Sequence, residues 1–179
     1  ESGSIRVDGV ETATGGAAAR RARRRMQLVF QDPFSALDPL MPIGDSIAEA
    51  LRATGRRWTR AERIARVREL LAQVHLDPDR AGERPGAFSG GQRQRITIAR
   101  ALAGEPEILI ADEVTSALDV SVQSTVLNLL RELQQQLGLT MLFISHNLAV
   151  VRYISDEIAV MRGGRIVEHG ETEALLRAP

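Results

Sequence analysis

The residues from Phe88 to Asp119 carry the chain's most specific chemistry. They run Phe-Ser-Gly-Gly-Gln-Arg-Gln-Arg, then a stretch with helical spacing, then Ile-Leu-Ile-Ala-Asp-Glu and finally Ser-Ala-Leu-Asp. Ser89, Gly90 and Gly91 form a loop whose small residues let backbone N–H groups approach an anion, and a helix opening there adds its positive end. The apolar run from Ile108 to Ala111 fits a buried parallel strand that carries Asp112 and Glu113 to its carboxyl end, where ligands collect in open α/β sheets. Two acids at that point suit a metal ion and an activated water. Each piece alone has a plainer use, since Ser-Gly-Gly also makes a surface turn and an acidic pair also caps a helix. Their order and spacing together point to phosphate chemistry.

The elements that must position these groups can be followed along the chain. Ser4 to Val7 alternates polar and apolar residues before Asp8-Gly9, which suits a short strand and turn. Residues 11–19 are small, and Arg20 to Arg25 then places five arginines among six residues, read as a solvated loop. A nucleic-acid arm is the sharper alternative, but no aromatics are interleaved there. Met26 to Phe30 predicts a buried strand that ends at Gln31, just before Asp32-Pro33, where the proline forces extended backbone. Ile64, Val67, Leu70, Leu71 and Val74 recur on one helix face, so residues 42–85 read as helical. Asp77-Pro78 and Arg84-Pro85-Gly86 end that region immediately before the Ser89 loop. Trp58 and His75 lie inside it and read as packing or surface residues without a convergent partner.

Beyond the loop, Ile96, Ile98, Ala99 and Leu102 give a helix its apolar side, and Gly104-Glu105-Pro106 stops it. A second helix carries Val122, Val126, Leu129, Leu130, Leu133 and Leu137 and ends at Gly138. Thr140 to Ile144 is a further strand, ending at Ser145-His146, so strand and helix alternate as in βαβ units. Ile158 to Met161 and Arg165 to Val167 predict two strands joined by Gly163-Gly164, followed by a helix from Glu171 to Arg177.

Composition sets limits. The chain has 179 residues, is 44% hydrophobic, and balances 23 basic against 23 acidic side chains. That length fits one core domain, and neutrality argues against nucleic acid as the main partner. No apolar run approaches the roughly 20 residues that span a bilayer. Cysteine is absent, which leaves no disulfide framework or thiolate metal cluster and is compatible with a cytosolic setting. Lysine is absent too, so every basic residue is arginine. The phosphate loop Gly-x-x-x-x-Gly-Lys-Ser/Thr therefore cannot lie within these residues.

The Phe88 to Gln92 loop, the acidic strand and the Ser-Ala-Leu-Asp segment together resemble the ATP-binding cassette (ABC) ATPases, with their signature loop and Walker B strand. Val-Phe-Gln-Asp-Pro-Phe-Ser-Ala-Leu-Asp-Pro around Gln31, Ala-Leu-Asp-Val-Ser-Val-Gln, and Leu-Thr-Met-Leu-Phe-Ile-Ser-His resemble the peptide and nickel (oligopeptide/dipeptide) importer branch. The resemblance covers nearly the whole chain. It implies an α/β fold: a P-loop NTPase-like core with a mainly parallel sheet, lacking the N-terminal Walker A part, and an inserted helical subdomain. The expected division is 1–39 for the first part of the core with the Q-loop, 40–88 for the helical subdomain, and 89–179 for the signature helix, Walker B, D-loop and switch histidine. Truncation upstream of the signature is the expected reason for the missing phosphate loop, and the isolated fragment is then expected to be inactive. Two positions depart from the family pattern: Val114 stands where proline is usual, and Asn147 where aspartate is usual.

The resemblance also implies roles. ATP and Mg2+ are the expected cofactors. Asp112 would orient magnesium through water, Gln31 would join its shell, Glu113 would polarise the attacking water, and His146 would contact the γ-phosphate. Ser89, Gly90, Gly91 and Gln92 would serve the ATP site of a second cassette, in a homo- or heterodimer, and Asp119 would cross the dimer seam. Such a subunit would sit peripherally on the cytoplasmic face of the membrane against permease subunits, with a substrate-binding protein as an indirect partner and no nucleic acid. Two alternatives stay open: an inert cassette contributing only a signature half-site, and a soluble ABC ATPase acting on nucleic acid or ribosomes.

Overall fold

In a computed structural model, which describes residues 3–177, the chain opens with an antiparallel hairpin of β1 (Arg6–Val7) and β2 (Val10–Glu11). Its turn residues Asp8 and Gly9 both take positive φ, 48° and 78°, as a two-residue hairpin loop requires. The arginine-rich stretch that follows is a helix, α1 (Ala17–Arg24), and not the solvated loop expected from its composition. Alanine and arginine are both strong helix formers, Ala19 and Ala22 are buried, and the basic residues of the last turn favour the helix's negative end. Arg25 then ties three elements together. Its Nε donates to Glu107 Oε1 at 2.7 Å, its Nη1 lies 2.5 Å from Asp8 Oδ2, and its carbonyl accepts from the N–H groups of Glu107 and Ile108. The guanidinium holds the Glu107 carboxyl below the usual carboxylate range.

The central sheet is parallel, in the order β3 (Met26–Val29), β4 (Ile108–Asp112), β5 (Thr140–Ile144). Its middle strand arrives late in the chain, because the connection from β3 to β4 contains the entire helical region. Val29 pairs with Ala111 and Ala111 with Phe143, while Asp112 pairs with Ile144. With side chains alternating across the pleat, Val29, Leu109, Ala111, Met141 and Phe143 point into one hydrophobic cluster. Leu28, Leu142 and Ile144 lie on the opposite, exposed face. Met26 to Phe30, expected as a buried strand, is covered on one side only among the described residues.

The helical region is built from α2 (Pro33–Ala36), α3 (Ile43–Ala50), a 3-10 turn at Leu51–Thr54, and α4 (Arg60–Gln73). Two further 3-10 turns, Pro78–Gly82 and Pro85–Ala87, lead into α5 (Gly90–Leu102). Thr59 and Glu62 form a capping box at the start of α4. Val67, Leu70, Leu71 and Val74 are buried as their spacing predicts, whereas Ile64 is exposed. Gly44 lies so close to the 3-10 turn that a Cβ there would sit 2.8 Å from the Ala81 carbonyl oxygen. His75 has a partner after all: its Nε2 lies 3.3 Å from Glu132 Oε2 and so links the end of α4 to α6 (Val120–Leu137). Trp58 is half-buried and donates to Thr54 Oγ1 at 3.2 Å.

Gly138, at φ 64°, ends α6, and α7 (Leu148–Ile154) follows β5. The hairpin of β6 (Glu157–Arg162) and β7 (Arg165–Glu171) turns at Gly163-Gly164, and α8 (Thr172–Arg177) closes the described chain. No helix among the described residues is long and apolar enough to cross a membrane.

Candidate functional site

At the carboxyl ends of three adjacent parallel strands the chain places Gln31 after β3, Asp112 and Glu113 at the end of β4, and His146 after β5. Parallel pairing is what aligns these ends. Glu113 is the centre of the group. Gln31 Nε2 donates to Glu113 Oε2 at 2.9 Å, and His146 Nδ1 lies 2.8 Å from Glu113 Oε1. A carboxylate can only accept, so a hydrogen bond here is one that Nδ1–H donates. Both carboxylate oxygens are therefore engaged in the resting arrangement. Glu113 itself has φ 46°, a left-handed conformation that strains a side chain bearing a Cβ, and its N–H donates to Ile144 O at 2.9 Å.

Ser116 belongs to this cluster, and sequence reasoning missed it. Its hydroxyl donates to the Glu113 carbonyl at 2.9 Å and stands 3.2 Å from Gln31 Nε2. The signal was local: a serine three residues after a strained acid can close a turn back onto it. Val114 is buried in the core, and Asn147 caps α7 by accepting from the Ala149 N–H at 3.0 Å. At the two positions that depart from the family pattern, the side chains are thus a core residue and a helix cap.

The glycine loop stands apart from that cluster. Ser89 is the N-cap of α5, where Gln92 N–H meets Ser89 Oγ and Ser89 N–H meets Gln92 Oε1, at 3.3 and 2.9 Å. The Gly90 and Gly91 N–H groups have no acceptor within the chain among the described residues, which leaves two donors at the positive end of a helix. Gly91 is also a packing requirement, because a Cβ there would lie 2.3 Å from Val122 Cγ1. Asp119 is the N-cap of α6, accepting from the Val122 N–H at 2.9 Å and the Ser121 hydroxyl at 2.7 Å. The loop and the start of α6 are thus in direct contact.

The Val122 N–H first, and then the Ser121 hydroxyl, hold the Asp119 carboxyl below its usual range. A depressed folded-state value makes a stabilising contribution that is present above the unfolded value near ~3.9 and is lost as pH falls through the folded one. Asp119→Ala should accordingly lower the melting temperature at neutral pH, and the difference from wild type should shrink in acid. Asp119→Asn, which keeps the capping acceptor, should lose less. Thermal melts at neutral and acid pH check both.

Among the described residues no three His, Cys, Asp or Glu side chains gather into a metal cage. Asp112 and Gln31 offer a carboxylate and an amide oxygen. That donor set fits Mg2+, which takes one or two protein oxygens and completes its shell with phosphate oxygens and water.

Acids and amides at parallel strand ends, with a separate glycine-opened helix, define the class of the α/β phosphate-handling cassettes. The chain belongs to the ABC transporter family, whose match spans residues 1–116. A putative peptide import ATP-binding protein of Brucella ovis is 55% identical over 178 residues, covering 99% of this chain and 56% of that protein. The chain thus spans about half the length of the curated relatives it matches. Among solved structures, cbiO1 from Clostridium perfringens, described as part of the ABC transporter complex cbiONQ, superposes with a TM-score of 0.85 at 27% identity. It matches 99% of this chain, which spans 69% of that one. The ATP-binding cassette MJ0796, in a dimeric post-hydrolysis state bound to ADP and Pi, gives a TM-score of 0.77 at 28% identity, over 93% of this chain and 72% of that one. The α/β class with a central parallel sheet and an added helical region is the fold expected from the sequence.

Proposed function

We propose that this chain is the signature and Walker B part of an ATP-hydrolysing cassette that powers a peptide-type importer. The observation that carries the reading is the Gln31–Glu113–His146 cluster, in which one carboxylate is held between an amide and an imidazole at adjacent strand ends. In this reading Glu113 is the general base for the attacking water, and His146 contacts the terminal phosphate, to which its Nε2 donates once both ring nitrogens carry a proton. Asp112 and Gln31 would hold Mg2+, which would supply positive charge against the phosphates. Phosphoryl transfer needs such positioning and charge neutralisation more than covalent chemistry.

Ser89 to Gln92 then present the unpaired N–H groups of α5 to the nucleotide of a second cassette, and Asp119 lies at the seam between the two. The dimeric MJ0796 cassette bound to ADP and Pi supports this arrangement. The name of the Brucella relative supports peptide import, with permease subunits as membrane partners and a peripheral position on the cytoplasmic face. We further propose the division 1–39, 40–88 and 89–179 as first core part, helical subdomain and second core part.

No lysine is present to serve a phosphate loop, so the 179-residue chain alone should show no ATP turnover above background. Joined behind a segment that carries a Gly-x-x-x-x-Gly-Lys-Ser/Thr loop, it should hydrolyse ATP. Robust turnover by the chain alone would overturn the assignment. A chimera that binds ATP without turning it over would favour an inert cassette that contributes only its signature half-site.

A further inference from the structure

Only one end of an amide can serve a cation. Turning the Gln31 amide by half a rotation exchanges its oxygen for an NH2 group at almost no change in shape, so its neighbours must decide which end faces outward. Two groups touch it, and both take hydrogens. Glu113 Oε2 stands 2.9 Å from Gln31 Nε2 and, in an ionised carboxylate, can only accept. Ser116 Oγ stands 3.2 Å from the same nitrogen. A hydroxyl has a single hydrogen, and Ser116 gives its own to the Glu113 carbonyl at 2.9 Å, so toward Gln31 it too can only accept. Both N–H bonds of Gln31 are thereby used, and Oε1 is left without a hydrogen bond among the described residues.

The two acceptors differ in what holds them. In the proposed chemistry Glu113 takes up a proton from water, and a protonated carboxyl no longer discriminates between the two ends of an amide. Ser116 is tied to main chain. Its own N–H donates to the Glu113 carbonyl at 3.0 Å, Leu118 N–H donates to the Thr115 carbonyl at 3.2 Å, and Thr115 Oγ1 accepts from Gln123 Nε2 of α6 at 3.1 Å. The turn therefore keeps its shape without the Ser116 hydroxyl. What the hydroxyl adds is a fixed acceptor beside the amide.

We propose that Ser116 is a positioning residue that keeps the Gln31 amide oxygen, and not its NH2, available to Mg2+. The inference rests on the reading above, in which Gln31 and Asp112 would hold that ion. Mg2+ takes oxygen ligands and is repelled by the positive end of an amide. With Glu113 alone to select the orientation, the amide spends part of its time reversed, and each reversed molecule offers the cation one oxygen fewer. One neutral hydrogen bond of this kind corresponds to a preference of about threefold to tenfold.

The metal's contribution can be read without turnover, as the ratio of ATP affinity with Mg2+ to ATP affinity with the metal chelated, in the chain joined behind a phosphate-loop segment. Ser116→Ala should lower that ratio by about threefold to tenfold while metal-free ATP binding and the melting curve stay unchanged. Ser116→Thr, which keeps the hydroxyl, should hold the ratio at the wild-type level. Gln31→Ala should lower it at least as far as Ser116→Ala, and combining the two should change nothing more. In the 179-residue chain itself, NMR should show a contact between the Gln31 Nε2 protons and the β-protons of residue 116 that weakens in Ser116→Ala and persists in Ser116→Thr. A ratio untouched by Ser116→Ala, an equal loss of metal-free binding, or a further loss in the Gln31→Ala background would each overturn the proposal. A ratio untouched by Gln31→Ala would overturn the assignment of Gln31 to the ion and this proposal with it, whereas an NMR contact indifferent to the Ser116 hydroxyl would overturn this proposal alone.

Discussion

Replacing Glu113 by glutamine in the chain completed with a phosphate loop should slow ATP turnover by about a hundredfold to ten-thousandfold while nucleotide still binds. Glutamine keeps the shape of the side chain and the strained turn that carries it. It loses the negative charge and the basic oxygen, and its NH2 cannot accept from the donor it meets. In the structure both oxygens of Glu113 accept, one from Gln31 Nε2 and the other facing His146 Nδ1, so an amide must break one of these contacts. Single-turnover kinetics, together with a nucleotide-binding measurement, separate loss of the base from loss of the site. Turnover unchanged by this variant would remove Glu113 from the chemistry.

The second large effect is structural. Gly91→Val should destabilise the fold by about 1–3 kcal/mol, because its first added carbon would lie 2.3 Å from Val122 Cγ1. Val122 is β-branched and sits in the first turn of α6, so it has little freedom to step aside. Glycine is a poor helix residue, and valine would gain propensity there. The clash outweighs that gain. Val122→Ala should recover much of the loss when combined with Gly91→Val, and should cost little when introduced alone. Denaturant melts of the four proteins in that cycle give the coupling directly.

Much of this was readable before any coordinates. The 3.6-residue spacing of Val67, Leu70, Leu71 and Val74, the stop at Gly138 and the hairpin at Gly163-Gly164 each carry a local physical cause, and the structure has them. Gln31, Glu113 and His146 could each be placed at a strand end by the apolar run before it. What could not be read is what depends on distant neighbours or on an unusual local backbone. Arg20 to Arg25 looked like a loop because charge and glycine dominate the region, yet buried Ala19 and Ala22 make it a helix. His75 gained its partner from α6, far along the chain. The place of Ser116 depended on Glu113 turning into left-handed backbone, which no periodicity announces.

The late arrival of the middle strand also bears on how the molecule assembles. Gln31 and Glu113 touch across a separation of 82 residues, with every helix of the α2–α5 region lying between them. Contacts that close so long a loop form slowly and contribute only after the intervening chain has ordered. The unit of β4, α6 and β5 is local by comparison and can form first. The Gln31–Glu113 contact is therefore the late one, and weakening the helical region should erase it while the β4–β5 pair and the Glu113–His146 contact still stand.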